Sequence, residues 1–165
     1  MTLGDKSMEI LFLLGFSLHN LEEGLWLPAW SKKAKRFHKE VAGNEFRFAL
    51  ILITSLGYVL TFFQLLLGKE CPFVCYVYCG FIGMMVANAV FPHLLATVAL
   101  KRYAPGTITG LFLNVPFGLA VLWKLFNDGL RIEYMLMAIA LVGMTVLASL
   151  NLFFKIGRKL IGEYS

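Results

Sequence analysis

His19, Glu22 and Glu23, within SLHNLEEGLW at positions 17–26, set an imidazole and two carboxylates into a segment that is otherwise almost wholly apolar. On a helix turning about 100° per residue, Glu22 projects about 60° to one side of His19 and Glu23 about 40° to the other, so all three share one sector. Histidine and carboxylate three or four residues apart is how helical bundles present ligands to zinc, iron or manganese, with facing helices supplying the rest. His93, in NAVFPHLL, is the next candidate. A divalent metal held by His19, Glu22, Glu23 and His93 would leave one glutamate as a general base. The same groups could instead act without metal, as acid and base whose pKa values burial and mutual repulsion push apart. Glu23 would then be the acid, His19 would tune it, and Asn88 would orient the substrate, so Glu22, Glu23 and Asn88 are the candidate catalytic residues.

Asn88 and His93 lie about 140° apart on a regular helix and could not face one site. Pro92 changes that expectation. It has no N–H, frees the carbonyl of Asn88 and should kink the helix there, leaving space beside the polar residues. Pro116 does the same to the carbonyl of Phe112.

The elements that must position these groups are membrane helices. Of the 165 residues 59% are hydrophobic and only 15% charged, and the mean hydropathy is +0.74. A soluble domain carries about a quarter charged residues. Five apolar stretches, about 8–30, 46–67, 72–100, 105–125 and 132–154, are each long enough for a span of ~20 residues. No alternating barrel pattern appears, so the expected fold is an all-α, five-helix integral membrane bundle in one domain over 1–165. The first stretch is the least apolar, because Glu22 and Glu23 each cost roughly 2.5 to 3.5 kcal/mol near mid-bilayer. A secretory signal is the alternative for Ile10 to Leu18, but Asp5 precedes it and no small-x-small cleavage site follows.

Basic residues orient the bundle. Lys32, Lys33, Lys35, Arg36, Lys39, Arg47, Lys101, Arg102, Lys155, Arg158 and Lys159 flank one side of the spans, against Lys6, Lys69, Lys124 and Arg131 on the other. This asymmetry predicts the amino terminus outside and the carboxyl terminus in the cytoplasm of an inner membrane. The formal charge of +5 then answers to anionic lipid, and no nucleic-acid partner is implied. In this topology His19, Glu22, Glu23, Asn88, His93, Thr107, Thr109, Asn114 and Asn151 all fall in the cytoplasmic half, with Gln64 as the exception. Taken singly, the threonines, Asn114 and Asn151 serve interhelical hydrogen bonds as readily as chemistry. The ionisable cluster marks function.

Lys101, Arg102 and Tyr103, in KRYAPGTITG, precede a helix that Pro105 should open. Its free N–H groups and dipole would favour an anion such as a lipid phosphate, with Asn114 deeper on the same helix as a further substrate contact. An ordinary positive-inside loop is the simpler account of the two cations. Gly106 and Gly110 form a small-xxx-small step for close helix packing. Cys71, Cys75 and Cys79 share a face at the outer end of helix three but have no histidine beside them for a metal site. The basic tail KIGRKLIGEYS should lie on the inner headgroups.

The string His19-Asn20-Leu21-Glu22-Glu23 resembles the signature of the HXXEE family of small prokaryotic membrane proteins. Asn88, His93 and Tyr103-Ala104-Pro105-Gly106 are similar to that family's later motifs, and the likeness covers about residues 8–120, leaving out helix five. It implies candidate residues and no reaction. The His19 to Glu23 step is also similar to the histidine and glutamate pairing of five-helix sterol isomerases of the emopamil-binding type, which protonate an alkene and stabilise a carbocation. Those proteins carry further buried acids, for which only Glu45, at the mouth of helix two, is available here.

Three functions fit. The first is a metal-dependent enzyme acting on a lipid or other membrane-soluble substrate from the cytoplasmic leaflet. The second is a metal-free isomerase or cyclase of an isoprenoid. The third is a proton- or ion-coupled carrier using Glu22 and Glu23. With five spans and no detectable inverted repeat, a carrier would have to be a homo-oligomer.

Overall fold

The computed structural model describes residues 3–34 and 43–161, with side chains from residue 6 onward. Lys35, Arg36 and Lys39, and the last four residues of the basic tail, lie outside these. Five helices form: α1 (Leu3–Lys33), α2 (Gly43–Leu67), α3 (Pro72–Leu100), α4 (Thr107–Asn127) and α5 (Ile132–Ile161). No strand appears among the described residues. The last four helices are long and apolar enough to cross a membrane, the pattern of a multi-pass membrane protein. α1 is not among them, because Glu9, His19, Glu22 and Glu23 lower its hydropathy.

The third apolar stretch has the bounds its composition gives; the first, second and fifth extend further, and the fourth is shifted by two residues toward the carboxyl end. α5 in particular continues through the basic segment to Ile161. α4 begins at Thr107, because Gly106 takes a left-handed conformation (φ 91°) that ends the preceding loop, so Pro105 lies in the turn before the helix. Pro72 sits in the first turn of α3, where its missing N–H is harmless.

α3 is the central helix, packed against α2, α4 and α5, while α1 lies between α2 and α4. The core is aromatic: Phe12, Phe16, Tyr78 and Phe81 are fully buried, and the Phe16 and Phe81 rings meet edge to face at 5.3 Å. Gly80 lets α5 approach so closely that a Cβ there would lie 2.5 Å from the Ala138 carbonyl oxygen. Small residues are the usual means of close helix contact where lipid competes for apolar surface.

Chain reversal brings Lys33, Arg47, Arg102 and Arg158 to one end of the bundle. Arg47 there donates to the Gly24 carbonyl at 3.0 Å, and Arg158 pairs with Glu45 at 3.3 Å. Glu45 is therefore engaged at the rim and does not reach inward. At the far end Lys124 and Glu9 pair at 2.6 Å.

A kink within Ala89–Leu94 interrupts α3, and a wide, π-helical turn, Gly110–Asn114, interrupts α4. Phe91 is extended (φ −126°, ψ 116°), which breaks α3 immediately before Pro92. The break alters the angular relation between Asn88 and His93, and this positions the site.

Candidate metal centre

His19 projects from the middle of α1 and is fully buried, with Glu22 and Glu23 one turn later and also buried. The Phe91 break turns His93 back toward Asn88, whose amide nitrogen lies 3.1 Å from His93 Nε2 and 3.4 Å from His19 Nε2. Glu23 Oε1 lies 2.7 Å from His93 Nε2 and 3.6 Å from His19 Nε2. The two imidazoles stand edge to face at 5.1 Å. One donor atom each from His19, Glu23 and His93 falls within 4.8 Å of the others, and among the described residues this is the one such group able to hold a metal ion.

Glu22 is not part of that group. Its carboxylate turns toward the loop between α3 and α4, where Oε1 accepts from the Tyr103 hydroxyl and from the Gly106 N–H at 2.9 Å. Its Oε2 accepts from Thr109 Oγ1 at 2.6 Å. Thr109 also meets His19 Nδ1 at 3.1 Å. A hydroxyl has one proton to give and a carboxylate only accepts, so the Thr109 proton points at Glu22 and its oxygen accepts from His19 Nδ1–H. This assignment, made from partner chemistry, leaves Nε2 of neutral His19 as a lone pair aimed at Glu23, His93 and Asn88. Glu22 thus acts on the cluster through Thr109, in the way outer-shell carboxylates orient metal-binding histidines.

The Tyr103-Ala104-Pro105-Gly106 loop closes this end of the site. Its Tyr103 hydroxyl, pushed up to about 12 by burial and then by its hydrogen bond to Glu22, is a firm donor at neutral pH. Gly106 is required twice over: its φ is positive, and a Cβ would lie 2.9 Å from His19 Cε1, His93 Cε1 and His93 Nδ1. Thr107 fastens the loop to α3: its hydroxyl lies 2.7 Å from the Ala104 carbonyl, 3.2 Å from the His93 carbonyl at the break, and 2.8 Å from Thr97 Oγ1. The Thr97 oxygen in turn accepts from the Ala104 N–H at 3.0 Å. Gly110 brings α4 against α3, where a Cβ would lie 2.9 Å from that of Ala89.

Several expected placements change. The anion at the start of α4 is the protein's own Glu22, because Gly106 N–H and Tyr103 are already committed to it. Lys101 and Arg102 are exposed. Asn114 is fully buried and packs against Gly15 of α1, with both amide atoms lacking a hydrogen-bond partner among the described residues. Asn151 is exposed on α5, since that peripheral helix buries only a narrow stripe including Met135, Val146 and Gly157. Polar groups also occupy the far half, where Glu9 is buried and Thr61 meets the Tyr78 hydroxyl at 3.4 Å. Cys75 donates to the Gly68 carbonyl at 2.9 Å.

Behind Glu23, Asn88 and His93 lies a cavity of ≈ 610 Å³ between α1, α2, α3 and α5, walled by Phe46, Leu50, Met84, Met85, Ile139 and Leu147 among other apolar side chains. Glu23, Asn88 and His93, with Asn20, are the polar lining of an otherwise oily cavity.

A helical membrane bundle with a buried two-histidine, one-carboxylate centre is the class that fold and site define. A family profile described as "Protein of unknown function with HXXEE motif" matches residues 10–121, and the chain belongs to this family. It is also 44% identical over 149 residues, 90% of this chain and 94% of the relative, to the "Uncharacterized protein YrkK" of Bacillus subtilis (strain 168). No solved structure matches it significantly.

Proposed function

We propose that the chain is a metal-dependent enzyme acting on a lipid or other membrane-soluble substrate. All five helices would span a cytoplasmic membrane, with the amino terminus outside and the basic end, and hence the site, toward the cytoplasm. The observation that carries this reading is the convergence of His19 Nε2, His93 Nε2 and Glu23 Oε1 on one point at the wall of the apolar cavity.

Donor spacing supports it in part. Ligand atoms about 2.0–2.2 Å from a tetrahedral ion stand roughly 3.3–3.6 Å apart; the 3.6 Å between Glu23 and His19 fits, and the 2.7 Å between Glu23 and His93 would have to open on binding. Hydrogen-bond bookkeeping supports it too. Once Thr109 fixes the His19 proton on Nδ1, the lone pair of Nε2 has the Asn88 amide as its one donor, at 3.4 Å, and faces the Glu23 carboxylate at 3.6 Å; a cation between imidazole and carboxylate would serve both acceptors. Turning the Asn88 amide so that Oδ1 faces inward would add a fourth donor, an orientation set by the partner it meets. A bound divalent ion would supply Lewis acidity and an activated water. The chain's own residues do the rest: Glu22 and Thr109 hold the His19 tautomer, the Tyr103 to Gly106 loop seals the site, and the cavity orients an apolar substrate against Glu23.

The 2.7 Å contact between His93 and Glu23 equally suits a charge-assisted hydrogen bond. That geometry favours, as a second reading, metal-free acid-base isomerisation of an isoprenoid in the same cavity.

Cobalt(II) titration of the purified protein separates the two. The metal reading expects saturable visible absorption of a low-symmetry cobalt site, abolished in His93→Gln and Glu23→Gln while both variants keep the wild-type thermal transition. Absence of the band in folded wild-type protein, or its survival in both variants, would overturn it in favour of proton chemistry.

A further inference from the structure

A groove of ≈ 870 Å³ runs along the basic end of α1, between that helix and the α3–α4 loop, on the side of Glu22 away from the cavity. Its deeper part is apolar, lined by Leu21 and Ile108. Its rim carries Trp26, Trp30, Lys33 and Arg102. Any membrane protein shows apolar grooves to lipid, and charge distinguishes this one. Lys33 and Arg102 are exposed and have no ion-pair partner among the described residues. The one carboxylate in the wall, Glu22, is already met by three donors. A comparable groove between α1 and α2, of ≈ 660 Å³, has Arg47 as its only cation, and Arg47 donates to the Gly24 carbonyl.

We infer that the groove between α1 and the α3–α4 loop binds an anionic phospholipid, its phosphate held by Lys33 and Arg102, its chains laid along Leu21 and Ile108. Guanidinium and ammonium groups at one rim match a phosphodiester. Indole rings sit where headgroup meets hydrocarbon. The inference does not use the metal centre and holds for metal-free protein.

Trp26 and Trp30 report on the groove, and the chain has one other tryptophan, Trp123, at the far end. The full-length Trp123→Phe protein is reconstituted in phosphatidylcholine vesicles, and its fluorescence is titrated with phosphatidylglycerol or phosphatidylcholine brominated on the acyl chains. Brominated phosphatidylglycerol should quench at lower mole fraction, with a relative affinity of about five-fold or more, since each basic residue near the surface contributes about that factor. Lys33→Gln with Arg102→Gln should bring the two lipids close to parity, and Lys101→Gln should leave the preference intact. Equal quenching by the two lipids in the wild-type groove overturns the inference without recourse to any variant. So does a preference that survives in the Lys33 and Arg102 double variant, or one that Lys101→Gln removes as fully, the mark of diffuse attraction. Loss of the preference in millimolar inorganic phosphate at constant ionic strength would assign the cations to free phosphate and also overturn it.

Discussion

Thr109→Val tests how far the centre depends on a residue that touches no substrate cavity. Valine keeps the shape and removes the hydroxyl that joins Glu22 Oε2 at 2.6 Å to His19 Nδ1 at 3.1 Å. Glu22 retains Tyr103 and the Gly106 N–H as donors, so the loop stays anchored. His19 loses the acceptor for Nδ1–H, and an unmatched buried donor costs about 1–3 kcal/mol. The imidazole relieves that penalty by carrying its proton on Nε2, where it can donate to Glu23, and the lone pair offered to the cluster disappears. Metal affinity should therefore fall by about 10–100-fold, the usual effect of losing an outer-shell partner, or about 1.4–2.8 kcal/mol. Zinc competition against a chromophoric chelator in detergent micelles measures it. Thr109→Ser, which keeps the hydroxyl, should restore most of the affinity. Equal affinities for wild-type, valine and serine proteins would refute the link between Glu22 and the His19 tautomer.

Gly106→Ala should lower both metal affinity and the thermal transition, because the left-handed conformation costs an alanine roughly 1–2 kcal/mol and the new methyl carbon would start 2.9 Å from both imidazoles. The same measurements on Gly129→Ala, at a positive-φ glycine with nothing within 4 Å, isolate the backbone part of the loss. Lys124→Met should strand the Glu9 carboxylate, which is 1% exposed. Breaking a fully buried pair costs about 3–5 kcal/mol, and the effect here should be smaller because the Lys124 side chain is 26% exposed; thermal unfolding in detergent reads it, and the metal site should be unaffected. Tyr103 should give an alkaline signature. Its folded value of about 12 lies above the ordinary 10.0, so its contribution to stability is complete below pH 10 and is lost as pH rises toward 12. Ultraviolet difference titration of wild type against Tyr103→Phe should show one tyrosine ionising late, and the Phe variant should lack that part of the alkaline destabilisation.

Helical periodicity made α1's contribution readable, since His19 and Glu23 at i and i+4 must share a face. Pro92 similarly marked the place where α3 would bend, and the bend is what brings Asn88 and His93 together. The roles of Tyr103, Gly106 and Thr109 were hidden for a different reason. Each meets Glu22 or His19 from more than eighty residues away, and no local period encodes how a loop folds over a helix. With Glu22 counted among the metal ligands, the polar groups around the Tyr-x-Pro-Gly string suggest a site for an external anion, whereas the anion there is Glu22 itself. The pair of Glu9 and Lys124 likewise joins residues far apart in the chain and has no local signature. Asn151 misled in the opposite direction: depth along a helix was legible, whereas the face it occupies depends on how little of α5 the bundle covers.

Elemental analysis by plasma mass spectrometry of the detergent-purified protein, beside a His19→Ala, Glu23→Ala double variant, bears most directly on the metal centre. Near-stoichiometric zinc, iron or manganese in the wild type, absent from the variant, is the expected result. No bound metal in folded wild-type protein, purified without chelators and with each metal offered back, would contradict it.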